Sequence, residues 1–310
     1  MKKNTDISKN LNTHISSSEL ISKNNFPSPQ TTKDFGSYSF WHYTTLSTAD
    51  KILESESIHV GLMANMNDLD EKELHAVDAA RMYSVCFCNS NTEKIPMWYL
   101  YAGISGKGAA VGLTPSVMKL LIDSLDTVYA YKNENDKKVE IPLTKGKDFD
   151  LEYGWVFYRK KEQPSQVMYK RQWYELTDTE SFETNNYFIK SYPWEYEKEF
   201  RIVIHNKTDV CYDHLALKFS EEIYKKLKVK LAPEQKEITA EHLSELKGFQ
   251  KYLLTKLEKS ALNINMNLCK RNLEGFWDYV KTVQPTSLTD EEKEVLENIQ
   301  VELSQLIKPQ

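Results

Sequence analysis

The 310-residue chain predicts an α+β fold: a mobile arm over residues 1–34, a domain of short strands and short helices over 35–233, and a helical segment over 234–310. Three observations predict it. Between 35 and 233 strand-type and helix-type patterns alternate at short intervals. From about residue 234 the helical period takes over, with Leu296, Ile299, Leu303 and Leu306 behind the capping box Thr289-x-x-Glu292. Hydrophobic residues make up 40% of the chain, enough for a core. The ten glycines, ~3% against an average of roughly 7%, weigh against folds built on glycine-rich nucleotide loops.

The N-terminal arm is rich in Asn, Ser, Lys and Thr, and Phe26-Pro27 and Ser28-Pro29 break any helix in it. Tyr38–Tyr43 is a run of β-formers, and Ser47 is the expected cap of a short helix carrying Ala49, Ile52 and Leu53. Ile58–Val60 reads as a strand, Leu74–Met82 as a helix and Tyr83–Cys88 as a buried strand. Pro96 suits the first turn of a helix through Tyr101, and Gly106–Leu113 returns as a strand. Thr114-Pro115 opens the next helix, Thr as cap and Pro in the first turn. Thr127–Tyr131, Gly154–Tyr158, Phe200–His205 and Leu215–Phe219 are further strands.

Forty basic residues stand against 45 acidic ones, a net charge of -5. That excludes nucleic-acid binding by bulk charge and leaves room for a local basic stripe. Cys86, Cys88, Cys211 and Cys269 have neither disulfide-scaffold nor zinc spacing, and Cys86 and Cys88 face one side of one strand. Reduced thiols, an N-terminus without an apolar signal core, and a mean hydropathy of -0.58 lead to the expectation of a soluble cytoplasmic protein with no membrane partner.

Three clusters carry chemistry. In Trp41-His42-Tyr43-Thr44, His42 and Thr44 share a face at a strand end, where they can meet a ribose or phosphate or serve as a hydrogen-bonded core pair. In Trp194–Ile204, an extended chain would put Glu195, Glu197, Glu199 and Arg201 on one face, with Arg201 neutralising one of three carboxylates. A carboxylate held in a cleft can stabilise an oxocarbenium ion; the alternative is a solvated edge strand. In Trp155–Tyr174, Arg159, Lys160, Lys161, Lys170 and Arg171 interleave with aromatics, as a single-stranded nucleic acid would require, or as a charged hairpin with snorkelling lysines would show. The Gly103–Gly108 stretch departs from a phosphate-binding loop, since Tyr101 and Gly108 stand at its first Gly and its Ser/Thr. His205, Cys211 and His214 lack a fourth ligand, so no metal is expected.

The order of these clusters is more specific than any one. His42-Tyr43-Thr44, Ile52-Leu53, Asn67-Asp68 with Glu71, Met97-Trp98 with Tyr101-Ala102, Gly108, Lys190, Trp194 and Tyr196-Glu197-x-Glu199-Phe200-Arg201 together resemble an uncharacterised bacterial domain family over roughly 38–230. That family in turn resembles the ADP-ribosyltransferase superfamily. The resemblance implies a split β-sheet core, NAD+ as substrate, and no metal. It implies Glu199 and Glu197 as catalytic acids and His42 on the adenosine-side ribose. Tyr43, Thr44, Trp98, Tyr101 and Arg201 complete the expected NAD+ site, with Trp98 or Tyr101 against the nicotinamide. The implied activity is a mono-ADP-ribosyltransferase toxin of toxin–antitoxin or anti-phage type. Its acceptor is a macromolecule, nucleic acid (mRNA included) favoured over protein, held by Arg159, Lys160, Lys161, Lys170 and Arg171. The C-terminal helices are the candidate seat of an antitoxin or chaperone. The alternatives are a non-catalytic nucleotide- or RNA-binding module and a metal-dependent nuclease using the acidic run.

Overall fold

The computed structural model describes residues 14–16, 18–20, 35–66, 81–90, 95–101, 108–134, 137–170, 172–178, 187–232 and 246–258. Over them the chain is mixed α+β, mostly strands in antiparallel sheets with a few short helices. Of the expected arm only residues 14–16 and 18–20 are described, and Leu20 there is buried. Of the helix expected over Leu74–Met82 only 81–82 are described, and Met82 opens a strand. Asn67-Asp68, Glu71, the 103–107 turn, Arg171, Cys269 and the Thr289 capping box lie outside the described residues.

Strand β1 (His14–Ile15) is followed by β2 (Phe40–Thr45), helix α1 (Leu46–Ser55), β3 (Ser57–Leu62), β4 (Met82–Asn89), α2 (Ile95–Tyr101), β5 (Gly108–Leu113) and α3 (Pro115–Asp123). The chain continues as β6 (Thr127–Glu134), β7 (Lys137–Thr144), β8 (Phe149–Trp155), β9 (Phe157–Lys160), β10 (Gln163–Tyr169), β11 (Gln172–Leu176) and β12 (Ile189–Ser191). A 3₁₀ turn (Tyr192–Glu197) leads into β13 (Glu199–Asn206), then β14 (His214–Lys218), α4 (Glu221–Lys226), β15 (Lys228–Leu231) and α5 (Lys247–Glu258).

The caps follow local chemistry. Thr114 Oγ1 accepts the Val117 N–H at 3.4 Å, as Thr114-Pro115 predicts. For α1 the cap is Thr45 rather than the expected Ser47. Thr45 is still extended (φ -69°, ψ 156°), so its hydroxyl reaches the Thr48 N–H at 3.1 Å and the helix begins two residues sooner.

The chain divides into two compact units, the first within residues 1–40, 59–92 and 118–217, the second within 41–58, 93–117 and 218–310. In the first, a five-stranded sheet has the order β1-β11-β10-β9-β12, with β1–β11 and β9–β12 parallel and the other pairs antiparallel. Its register aligns Lys190, Tyr158, Met168 and Trp173 across four strands, so these side chains share one face. The other face carries Phe157, Val167, Tyr169, Leu176 and Ile189 in a cluster with Leu20, Met63, Met82 and Val203. β13 pairs antiparallel with both β4 and β8, and β6 with both β7 and β14. Phe200 on β13 meets Phe35, Phe40 and Trp155 with ring centroids 5.0–5.9 Å away.

Gly154–Tyr158 is expected as one strand, and the structure corrects this. Val156 lies between β8 and β9, which belong to different sheets, and its N–H donates to the Glu199 carbonyl at 2.9 Å. One residue carries the chain from one sheet to the other.

In the second unit, β15 pairs antiparallel with β5, and β2 lies beside β5. Helices α1 and α5 approach so closely at Gly248 that an added Cβ would stand 1.9 Å from the Asp50 carbonyl oxygen; only glycine fits. Asp50 Oδ1 also accepts the Phe249 N–H at 3.1 Å.

Candidate functional site

The acidic run ahead of β13 is not extended. Pro193 sits in the first turn of the 3₁₀ segment, where its fixed φ suits a helical start, and Lys198 closes the turn with φ 47° and its N–H on the Glu195 carbonyl at 3.1 Å. This corrects the expectation that Glu195, Glu197 and Glu199 alternate along one strand. The turn instead places Glu197 and Glu199 on the same cation: Lys190 Nζ donates to Glu197 Oε2 at 2.5 Å and to Glu199 Oε2 at 3.2 Å.

Arg201, two residues along β13 from Glu199, completes the group. Its Nε donates to Glu199 Oε1, its Nη2 to Glu199 Oε2 at 3.2 Å, and its Nη1 to the Tyr187 carbonyl at 2.9 Å. The Glu199 N–H donates to the Tyr158 hydroxyl at 2.8 Å. All four charged groups are buried, Arg201 completely. Two cations balance two anions, which is what makes such burial tolerable.

The electrostatics follow from that packing. Burial would raise the Glu199 carboxyl, but Arg201 and then Lys190 outweigh it and hold the group well below the usual carboxylate range. Burial, and then the Glu199 charge, push the Tyr158 hydroxyl and the Cys86 thiol well above their ordinary values. Cys86, opposite Arg201 on β4, is therefore a poor nucleophile.

A cleft of about 240 Å³ opens beside this network, lined by Gly36, Ser37, Tyr38, Asn89, Trp155, Val156, Tyr158, Met168, Lys170, Glu195, Lys198 and Glu199. That is smaller than the roughly 300–1,000 Å³ of drug-sized sites, so it suits a fragment such as one heteroaromatic ring with its sugar. Tyr38, Trp155 and Tyr158 supply ring surface, Lys170 and Lys198 positive charge. Glu195 differs from Glu197: it lines the cleft, and its carboxylate has no hydrogen bond or ion pair among the described residues.

Of the expected acceptor residues, Arg159 and Lys160 are half-buried on β9, and Lys161 is exposed just after it. Lys170 is exposed at the β10–β11 turn with a left-handed φ of 47°. These residues share the first unit with Glu197, Glu199 and Arg201. His42, Tyr43, Thr44, Trp98 and Tyr101 all fall in the second unit, on β2 and α2. There His42 and Tyr101 are half-buried, Thr44 is buried, and the Tyr43 and Trp98 rings meet edge to face at 4.6 Å. Lys230 Nζ, on β15, lies 4.4, 4.8 and 5.4 Å from the ring centroids of Trp41, Tyr43 and Trp98 and donates to the Tyr43 hydroxyl at 2.9 Å.

Sequence reasoning missed Lys190 as the shared cation, Tyr158 and Trp155 as cleft walls, and Lys230. Lys190 left a signal as one member of the ordered pattern, and Trp155 and Tyr158 as aromatics of the Trp155–Tyr174 cluster, where nothing marked them as cleft walls.

Residues 97–202, about a third of the chain, match the family described as Protein of unknown function (DUF2971). The match begins within α2 and runs through Lys190 and the Glu197–Arg201 network. No curated protein and no solved structure matches the chain.

Proposed function

We propose that the cleft in the first unit binds the nicotinamide-ribose end of NAD+ and that the protein is a mono-ADP-ribosyltransferase acting on a macromolecular acceptor in a toxin or anti-phage role. The carrying observation is Glu199, a carboxylate that lines the cleft and is kept ionised by Arg201 and Lys190. Breaking the bond between ribose C1′ and nicotinamide nitrogen releases neutral nicotinamide and leaves positive charge on the sugar; a fixed anion beside that carbon favours the transition state. Arg201 and Lys190 act as positioning residues, holding the carboxylate oxygens in place. Tyr38, Trp155 and Tyr158 offer ring surface to the departing base, and Lys170 and Lys198 offer charge to the diphosphate. As the acceptor's oxygen or nitrogen bonds to C1′, its proton passes to Glu195, whose carboxylate is open to the cleft while Glu197 is engaged by Lys190.

One observation favours a second reading, a non-catalytic nucleotide-binding module. Both Glu199 oxygens already accept hydrogen bonds from Arg201 and Lys190. A divalent-ion nuclease fits less well, because an ion would have to displace two cations that already balance Glu197 and Glu199.

Incubation with labelled NAD+ and cell RNA, DNA and protein separates the readings. Transfer should tolerate EDTA and drop at least about 100-fold in Glu199→Gln, the size of effect expected for a group aimed at developing charge. Saturable NAD+ binding without turnover would establish the second reading. Neither binding nor turnover would end both.

A further inference from the structure

We propose that the face of the five-stranded sheet carrying Trp173, together with the adjoining 3₁₀ turn, is a binding platform for single-stranded nucleic acid. The inference stands apart from the chemistry of the cleft and needs no NAD+.

The platform is built from β9, β11 and the Tyr192–Glu197 turn. Trp173 and Tyr192 lie with ring centroids 5.1 Å apart, and Trp194 and Tyr196 follow at 6.2 Å. All four rings are half-buried, so each is anchored yet keeps surface to offer. Trp173, Tyr192 and Trp194 pack against Val156, Tyr158 and Met168, and those same three residues line the cleft. The rings are thus backed by residues that also form the cleft's wall.

Charge is placed to suit. Lys160 Nζ sits 4.6 Å from the Trp173 ring centroid and 5.7 Å from that of Tyr192, on the sheet face it shares with Tyr158. Lys161 and Lys170 are exposed nearby in sequence, while Arg159, half-buried, alternates to the other face of β9. Glu162, Glu175 and Glu195 stand among these cations, and the whole chain carries -5. So the surface cannot hold nucleic acid by bulk charge. Stacking must supply most of the binding, which selects unpaired bases over a duplex. An acidic peptide would find the same lysines but gain nothing from the rings.

The test is fluorescence anisotropy with labelled oligo(U) and oligo(dT) of about twelve nucleotides, a duplex of equal length, heparin and polyglutamate. Both single strands should bind at least about tenfold more tightly than the duplex and quench indole fluorescence. With some three phosphates contacted, log K should fall with log salt at a slope of about -2. Trp173→Leu keeps apolar bulk but removes the stacking plane, and should weaken binding about tenfold with the slope unchanged. Lys160→Gln, checked as folded by its thermal melt, should lower the slope by about one. Equal binding of duplex or heparin, full competition by polyglutamate, no binding by the wild-type chain, or a folded Trp173→Leu that binds as wild type would each overturn the proposal.

Discussion

Each unit holds a lysine against its interior, Lys190 buried in the first and Lys230 half-buried in the second, and the two do it by opposite means. In the first, Lys190 is enclosed by the carboxylates of Glu197 and Glu199, with Arg201 completing a balanced group of four charges. In the second, Lys230 lies against the rings of Trp41, Tyr43 and Trp98 and donates a hydrogen bond to the Tyr43 hydroxyl. A balanced ion network fails when any member is removed, because its partner is left buried and uncompensated. A ring cluster loses only an attraction, since neutral rings need no counter-ion. The first is therefore a brittle device that fixes carboxylate geometry, the second a tolerant one.

Arg201→Met breaks that contrast most directly. It removes one of the two cations held against buried Glu199, and should cost about 3–5 kcal/mol, read as a lower denaturant midpoint. A cost near that of changing Lys230 would remove the distinction. Acid reaches the same network without a substitution. Because Glu199 is depressed in the folded protein, the unfolded chain takes up the proton first as pH falls. Its contribution is intact above the ordinary 4.5 and is lost progressively below it. Tyr158 runs the other way, its contribution intact below 10.0 and lost above. Hydrogen exchange should show β13 loosening as pH falls below the ordinary carboxylate range, because the Glu199 network it carries is titrated there.

Tyr158→Phe should cost about 1–3 kcal/mol in thermal melts, because the buried Glu199 N–H loses its acceptor. Lys230→Met is the mildest, about 1 kcal/mol, and Lys230→Arg should be nearly neutral. A Lys230→Met loss as large as that of Arg201→Met would make the ring cluster the equal of the ion network.

The strands legible in the sequence are those whose own side chains make the core. β4 (MYSVCFCN), β5 (GAAVGL) and β13 (EFRIVIHN) are buried nearly throughout, and their β-branched and apolar residues announce them. β7 (KKVEIPLT), β10 (QPSQVMY) and β15 (KVKL) carry polar residues and, in two cases, proline; their partners determine them, not their composition. In the site, Glu197, Glu199 and Arg201 were legible as a cluster but not as a network. A strand period places side chains only along one element, whereas Lys190 arrives from β12 and Tyr158 from β9. The Pro193 turn, which changes the spacing of the acids, is masked in the sequence by the β-type residues around it.

The single-residue joint at Val156 has an arithmetic consequence. Side chains alternate sides along β9, so Tyr158 and Lys160 point one way while Phe157 and Arg159 point the other. One amino acid inserted after Val156 would shift the count by one and, unless a bulge absorbed it, turn the strand over. Phe157 would take the place of the tyrosine that accepts the Glu199 N–H, and Tyr158 itself would turn toward the apolar cluster on the reverse side. The length of that joint is thus as much a specification of the cleft as any side chain lining it.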